Sequence, residues 1–253
     1  MKIAYELNPP RIARDGKFDY KHMEKCMETL RERAALLKRY ADGIHLTDSV
    51  LGVPRVSGIS ATALIRKSAG DLKISCSLRT SDRNVITLSQ AAVDAVISEV
   101  DSLLLLMGDA PTDGRASGLK PSQALAMLRE QGLDKKVKLD LSFPAKIPDR
   151  WSPAMQAKLA ARPRAFVTQS ISSLSDLADI VDLAKQNSIG VTACVMVPSE
   201  KNSQSAKMIG LDWSGYRKEP VEFVKKAGRM AGSVLLTSPG SFQAGVDLLK
   251  ALS

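Results

Sequence analysis

Residues 2–10 read KIAYELNPP, and this stretch shows the repeating unit from which the fold can be predicted. Apolar residues alternate with small or polar ones, which is the period of a β-strand with two different faces. The two prolines end the strand, because proline has no N–H to donate to a ladder. Glu6 and Asn8 share one face at the end of this strand. A carboxylate at such a position is either a solvated edge residue or the floor of a site.

Seven further strand-like runs follow, and a helical pattern with i, i+3, i+4 spacing comes after each strand. Together with the first, the eight runs are KIAYELN (2–8), GIHLTD (43–48), KISCSLRT (73–80), SLLLLMGD (102–109), VKLDLSF (137–143), AFVTQS (165–170), GVTACVMV (190–197) and SVLLTS (233–238). Eight strand–helix units predict a single (β/α)8 TIM-type barrel over residues 1–253, with an extra helix within residues 205–232. A doubly wound open sheet is the alternative, but it needs a glycine-rich phosphate loop after an early strand, and none is present.

The composition is that of an ordinary globular protein, with 44% hydrophobic and 25% charged residues. No apolar run approaches the length of a membrane span, and the start lacks the apolar stretch of a signal peptide, so we expect a cytoplasmic protein with no membrane partner. Three widely spaced cysteines and two histidines disfavour a disulfide framework and a histidine-rich metal site. Cys76 and Cys194 lie in apolar strand-like runs, which predicts that both are buried.

The formal net charge of +9 could indicate a nucleic-acid partner. The basic residues are instead mixed with acids along helices, as in KHMEKCMETLRERAALLKR, which is typical of a solvated helix face. No nucleic-acid motif or interleaving of aromatic and basic residues is present. We therefore expect no nucleic-acid partner and a mild preference for anionic small molecules. Both a monomer and a homo-oligomer are compatible with the sequence.

Polar or charged residues lie at the carboxyl ends of most of the eight strands. In a barrel of this type, functional groups lie at the carboxyl ends of the strands, on the positions that point inward. The residues at these ends are Glu6, Asn8, Thr47, Ser77, Arg79, Met107, Asp109, Phe143, Gln169, Pro198 with Glu200 beyond it, and Ser238. Surface solvation alone does not explain such a convergence, so Glu6 is predicted to point into the mouth of the barrel.

Four of these strand ends resemble motifs of the methylenetetrahydrofolate reductase family. YELNPPR resembles its FEFFPP opening, and LLLLMGDAP resembles its ALRGDPP motif, with Gly108, Asp109 and Pro111 kept. HLTDSVLGVPRVSGISATALI resembles its second-strand segment, and FVTQS resembles its ITQ strand. The resemblance implies a (β/α)8 barrel and an oxidoreductase that reduces 5,10-methylenetetrahydrofolate, or a related tetrahydropterin, to the 5-methyl form, or runs the reverse. It also implies a hydride donor, which is FAD or NAD(P)H.

The resemblance also implies roles for individual residues. Glu6 would be the general acid near N10 of the folate, and Asp109 would lie beside the pterin and the flavin. The implied substrate-binding residues are Gln169, Asn8, Arg79 and Phe143. The implied cofactor-binding residues are Thr47, Ser77, Met107, Gly108, Asp109 and Lys158.

The chain departs from the family pattern mainly on the flavin side. Met107 replaces an arginine, Ser77 replaces a histidine, and Trp151 and Ala154 replace polar residues. A flavin-free relative that works directly with NAD(P)H is therefore one alternative. A methyltransferase that works with a corrinoid protein and a non-catalytic pterin-binding subunit are the others.

The expected chemistry needs an acid that stays protonated near neutral pH, since protonating N10 opens the ring of the methylene carrier. Burial and the like charge of Asp109 would both raise the pKa of Glu6.

Each residue also has a plainer interpretation: Glu6 as a structural carboxylate, Asp109 as a turn residue, Gln169 as a polar residue that fills the barrel, and Arg79 as the ion-pair partner of Asp82. His45 is predicted to be a hydrogen-bonded core residue. The segment SPGSFQAG (238–245) is either a phosphate cradle or an ordinary turn.

Overall fold

The computed structural model describes residues 1–12, 17–109 and 117–253. Eight parallel strands close into a barrel in chain order, which confirms the predicted (β/α)8 fold. The strands are β1 (Lys2–Leu7), β2 (Gly43–Leu46), β3 (Lys73–Arg79), β4 (Ser102–Leu106), β5 (Lys138–Phe143), β6 (Ala165–Thr168), β7 (Gly190–Met196) and β8 (Gly232–Thr237).

Helices surround this barrel on the outside. They are α1 (Tyr20–Leu37), α2 (Gly58–Ala69), α3 (Val85–Ile97), α4 (Pro121–Glu130), α5 (Pro153–Ala160), α6 (Leu174–Gln186), α7 (Ser203–Met208), α8 (Pro220–Ala231) and α9 (Phe242–Leu252). Both α7 and α8 follow β7, so the extra helix predicted in this part of the chain is present. Among residues 1–12, 17–109 and 117–253, none of the helices combines the length and apolar character that a membrane span requires.

Short polar side chains begin many of the helices. Ser173 caps α6 by accepting a hydrogen bond from the N–H of Asp176, and Ser241 caps α9 in the same way. Ser175 lies inside the helix, one residue after its start at Leu174. Such caps set where each helix leaves its βα loop, and they thereby fix the loops around the mouth of the barrel.

The strands end earlier than the sequence predicts, most clearly at β4. This strand stops at Leu106, whereas the predicted run extends to Asp109. The difference arises because the run of apolar and polar residues continues without a break in the sequence, whereas the ladder with β3 ends at Leu106 and the ladder with β5 ends at Leu105. Met107, Gly108 and Asp109 therefore belong to a loop at the carboxyl end of the barrel, where functional groups of this fold lie.

The outward faces of the strands and the inner faces of the helices form the hydrophobic core. Tyr5 is 1% exposed, and its ring lies 5.7 Å from that of Phe242 in α9. Because neighbouring residues of a strand point to opposite faces, this contact places Glu6 on the inner face of the barrel. Cys76 and Cys194 are both buried, as predicted.

Candidate functional site

Glu6 occupies the inside of the barrel next to β8. The ladder aligns Tyr5 with Leu236, which brings Thr237 beside Glu6. The hydroxyl of Thr237 donates a hydrogen bond of 2.6 Å to Oε1 of Glu6. The sequence reasoning missed Thr237 as a partner, although its inward position in the eighth strand was a usable signal.

Burial raises the pKa of the Glu6 carboxyl group above its ordinary value of 4.5. The hydrogen bond from Thr237 acts in the opposite direction, because it stabilises the charged form. Asp109 is not among the causes, so the expectation that its charge would raise the pKa of Glu6 is wrong. Glu6 nevertheless keeps part of its surface accessible. It is thus a desolvated carboxyl group that a small molecule can approach.

Cys194 lies close enough to Glu6 for the two groups to interact. Burial raises the pKa of this thiol to about 12, and the charge of Glu6 adds to the effect. A thiol in that environment stays protonated and is a poor nucleophile. Cys194 therefore serves as part of the wall around Glu6.

His45 lies beside Glu6 in the ladder between β1 and β2. Its Nδ1 is 2.8 Å from the hydroxyl of Ser75, and its Nε2 is 2.8 Å from the hydroxyl of Ser77. Burial lowers the pKa of this imidazole to about 4, so His45 is neutral near pH 7. The prediction of a hydrogen-bonded core histidine is confirmed. Ser77, predicted to contact a cofactor, is held by a histidine from the neighbouring strand.

Asn8 and Thr47 lie together at the ends of the first two strands. The hydroxyl of Thr47 donates to Oδ1 of Asn8 over 2.7 Å. Thr47 is 5% exposed, whereas Asn8 is partly accessible. The amide nitrogen of Asn8 is therefore the group of this pair that is better placed to meet a ligand.

Asp109 lies at the mouth of the barrel and is exposed. Its Oδ2 accepts a hydrogen bond of 2.7 Å from the N–H of Leu51, which belongs to the loop after β2. Met107, also predicted to contact a cofactor, is 51% exposed. Pro111, the remaining residue of the fourth-strand motif, lies outside the described residues.

Arg79 does not present its charge to a ligand. Its side chain is 1% exposed and makes an ion pair with Asp82, in which Nε lies 2.9 Å from Oδ2. The interpretation of Arg79 as a substrate-binding residue is therefore corrected in favour of the ion pair with Asp82. The physical reason is that β3 is long enough to carry Arg79 beneath the loops instead of into open solvent.

Lys158 reaches from α5 to the end of β5. Its ammonium group donates a hydrogen bond of 2.6 Å to the carbonyl oxygen of Ser142. Burial lowers the pKa of Lys158, and no acidic side chain of the described residues forms an ion pair with it. Of the predicted cofactor-binding residues, Lys158 is the one with a positively charged side chain.

Phe143 is buried, whereas Gln169 is exposed. Phe143 is 2% exposed, and its ring lies 4.4 Å from the ring of Phe166. It belongs to the core outside the barrel, with Leu139 and Leu141 on the same face of β5, so the prediction that it points inward is corrected. Gln169 is exposed just beyond β6, and its backbone N–H bonds the carbonyl of Phe143.

The turn after β8 shows no free phosphate cradle. The N–H of Gly240 already donates to Oδ1 of Asn202 over 2.7 Å. A Cβ added to Gly240 would meet the carbonyl oxygen of Lys201 at 2.1 Å, so the turn packs tightly on that segment. These contacts favour the ordinary turn over a phosphate site.

A cavity of about 180 Å³ opens at the opposite, amino-terminal end of the barrel. Small inward residues leave this space, among them Ala4, Gly43 and Ser75. None of the predicted site residues lines it, and that end of the fold usually serves stability. His45 lines its inner end, while Glu6 does not.

No protein-family model and no curated protein matches the chain. Among solved structures, a 3-hexulose-6-phosphate synthase is similar over 100% of both chains, with a TM-score of 0.56 and 12% identity. A long-chain alkane monooxygenase is similar over 99% of this chain and 89% of its own, with a TM-score of 0.63 and 10% identity. At such low identities, this likeness establishes the barrel fold and nothing about the reaction.

Proposed function

We propose that this chain is an oxidoreductase that reduces a 5,10-methylene-tetrahydropterin, such as 5,10-methylenetetrahydrofolate, to its 5-methyl form, or catalyses the reverse. The hydride donor is reduced nicotinamide, NAD(P)H, acting as a second substrate. The observation that carries the proposal is Glu6, a carboxyl group enclosed in the barrel whose pKa is raised by burial. The four sequence motifs that resemble the methylenetetrahydrofolate reductase family support the same assignment.

The proposed reaction uses the proton of Glu6 first. Glu6 gives this proton to N10 of the carrier, and the bond between N10 and the methylene carbon breaks to leave a 5-iminium cation. Hydride from the nicotinamide then adds to the methylene carbon, which is reduced to a methyl group while the nicotinamide is oxidised. The Glu6 carboxylate takes a proton from solvent to complete the cycle.

Asp109 has a different part in this proposal. Its exposed carboxylate lies at the mouth, with one oxygen held by the N–H of Leu51. A fixed negative charge there stabilises the iminium cation electrostatically. Gln169 and Asn8 are exposed or partly accessible amides, which suit the donor and acceptor edge of a pterin.

The residues that the resemblance assigns to FAD fit it poorly. Thr47 donates its hydrogen bond to Asn8, and the hydroxyl of Ser77 is engaged by a histidine. Met107 offers no charge for a diphosphate, which leaves Lys158 as the cation of this set. For this reason no step is assigned to a flavin, and the hydride donor is proposed to be the nicotinamide itself.

Methyl transfer between a tetrahydropterin and a corrinoid protein is the second candidate function. The observation that favours it is the same poor fit of the flavin-side residues, since such a transfer needs a pterin site and no redox cofactor. It differs from the leading proposal in requiring no reduced nicotinamide.

The test is a comparison of purified wild-type protein with Glu6→Gln. The substrates are NAD(P)H and either methylenetetrahydrofolate or the methylene form of a methanopterin-type carrier. The wild type should oxidise the nicotinamide and form the methyl product from one of these carriers. Glu6→Gln should bind the pterin but lose about 10²–10⁴-fold in turnover, which is the usual contribution of a general acid.

Asp140→Asn is the matched control. Asp140 is a second carboxyl group inside the barrel whose pKa burial raises, but it pairs with Arg164 at the amino-terminal end. This variant can lose stability, yet its turnover per folded molecule should equal that of the wild type. Pterin binding without nicotinamide oxidation would contradict the reductase and favour methyl transfer or a non-catalytic binding subunit. Full activity of Glu6→Gln would show that Glu6 is structural.

A further inference from the structure

Arg79 connects three of the loops that surround the mouth of the barrel. Its Nε donates to Oδ2 of Asp82 over 2.9 Å, its Nη1 to the carbonyl oxygen of Ser49 over 2.8 Å, and its Nη2 to the carbonyl oxygen of Asp109 over 2.6 Å. These acceptors belong to the loops after β3, β2 and β4 respectively. One buried guanidinium group therefore contacts all three loops at once.

Asp48 reinforces the connection between the loop after β2 and the end of β3. Its Oδ2 accepts hydrogen bonds from the backbone N–H of Arg79 over 3.1 Å and from Nη1 of Arg83 over 2.7 Å. The Asp48 side chain is 8% exposed, so water does not compete strongly for these bonds. The loop after β2 is thus held from its first residues.

Gly108 shows how closely Arg79 lies against the loop after β4. A Cβ added to Gly108 would come within 2.7 Å of Cζ of Arg79, and the backbone of Gly108 has a φ of 83°. Glycine adopts this conformation readily and leaves room for the guanidinium group. The position of Arg79 therefore sets the path of the backbone that leads into Asp109.

Two residues of the loop after β2 adopt left-handed conformations that are unusual for residues other than glycine. Ser49 has a φ of 42° and Leu51 has a φ of 60°. Backbone strain of this kind persists where surrounding contacts hold it, and it concentrates at functional sites. Here the contacts are the bond from Arg79 to the carbonyl of Ser49 and the bond from the N–H of Leu51 to the carboxylate of Asp109.

We propose that Arg79 is a positioning residue that fixes the Asp109 carboxylate at the mouth of the barrel. It does so by holding the strained loop after β2 against the backbone of Asp109. The positioning stands on these contacts alone, whereas its consequence for turnover rests on the proposed function. Lysine cannot replace Arg79, because a single ammonium group lacks the planar fork that reaches three separated acceptors.

The test follows the backbone amide of Leu51 by nuclear magnetic resonance in the absence of any ligand. Asp109→Ala removes the acceptor and defines the chemical shift and the hydrogen-exchange rate of the released amide. In Arg79→Met, the Leu51 signal should move towards that of Asp109→Ala, with at least about tenfold faster exchange than in the wild type. Amides in the barrel strands should keep their wild-type exchange rates.

Arg66→Met is the matched control at the other end of the barrel. Arg66 also connects separate segments, through Asp101 and the carbonyls of Leu72 and Glu99, and none of these bonds reaches the described residues of the mouth loops. This variant should lower the unfolding temperature and leave the Leu51 amide unchanged. An equal effect on Leu51 in Arg66→Met would overturn the proposal, because the effect would then be global.

Arg79→Lys keeps the charge and decides the question if Arg79→Met does not fold. The proposal expects the Leu51 amide of Arg79→Lys to exchange faster than in the wild type, and a wild-type signal in either variant overturns it. If the wild type reduces a pterin, both variants should lower kcat more than they raise KM, since Asp109 acts on the cation. If the wild type neither binds nor reduces any pterin, the proposed function fails, and the Leu51 amide alone decides whether Arg79 positions Asp109.

Discussion

The hydrogen bond from Thr237 to Glu6 allows the proton affinity of the proposed acid to be changed without altering the acid itself. Thr237→Val removes the hydroxyl that lies 2.6 Å from Oε1 of Glu6. That bond stabilises the ionised carboxylate more than the neutral acid. Its loss should therefore raise the pKa of Glu6 beyond the increase that burial already causes.

The size of the effect follows from the difference between two hydrogen bonds. A bond to a charged group contributes about 1.5–3 kcal/mol, and a bond to a neutral group about 0.5–1.5 kcal/mol. The difference is about 1–1.5 kcal/mol, which corresponds to a roughly tenfold increase in proton affinity. Because Thr237 is 5% exposed, water does not readily replace the lost hydroxyl.

The assay is a titration of ¹³C-labelled glutamate side chains by nuclear magnetic resonance, in which the Glu6 signal is identified by its absence from Glu6→Gln. Thr192→Val is the matched control, since its hydroxyl bonds Ser233 over 2.8 Å and does not touch Glu6. We expect the Glu6 titration to move to higher pH in Thr237→Val and to stay in place in Thr192→Val. An unchanged or lower pKa of Glu6 in Thr237→Val would contradict the expected role of the Thr237 hydroxyl.

Three further predictions concern stability. Because burial raises the pKa of Glu6 in the folded state, the folded protein keeps this proton when the unfolded chain has begun to lose it, at pH values above about 4.5. As pH rises from about 4.5 through the folded-state pKa of Glu6, the unfolding free energy of the wild type should therefore decrease relative to that of Glu6→Gln. Parallel curves for the two proteins in urea titrations at several pH values would contradict this. Phe143→Ala should lower the unfolding free energy by about 3–5 kcal/mol, because it removes a buried ring that packs on Phe166, and a loss under 1 kcal/mol would argue against its core position. Gly245→Ala places a Cβ 2.1 Å from Oη of the buried Tyr5 and should cost about 1–3 kcal/mol in the same assay, whereas a neutral result would show that the Tyr5 ring can move.

The regular alternation of strand and helix patterns was sufficient to predict the barrel. Each strand has a period of two and each helix a period of about 3.6, and these periods depend on neighbouring residues alone. The same local property placed Glu6 opposite the apolar face of the first strand, and hence inside the barrel. The hydrogen-bonded state of His45 and the burial of Cys194 followed from the same kind of reasoning.

The sequence was a poorer guide to whether the last residue of a strand points into or out of the barrel, because a shift of one residue reverses the face. Phe143 shares the face of Leu139 and Leu141 and so belongs to the outer core, although it ends a strand as the inward residues do. Strands of a parallel barrel are covered on both faces, so apolar character does not by itself distinguish inside from outside. For a related reason, residue types could not separate the last residues of β4 from the loop that follows. A strand ends where its ladder hydrogen bonds to the neighbouring strands end, whatever the residue type.

The fold class and the side of the first strand on which Glu6 lies thus follow from the order of the amino acids. Three contacts become visible once the chain is folded: the Thr237 hydroxyl with Glu6, the Leu51 amide with Asp109, and the Arg79 guanidinium with three loops. In the chain, Glu6 and Thr237 are separated by 231 positions, and their contact exists because the eighth strand closes on the first. Periodicity is a property of adjacent residues, whereas the partner of a buried polar group is set by the closure of the barrel and the paths of its loops.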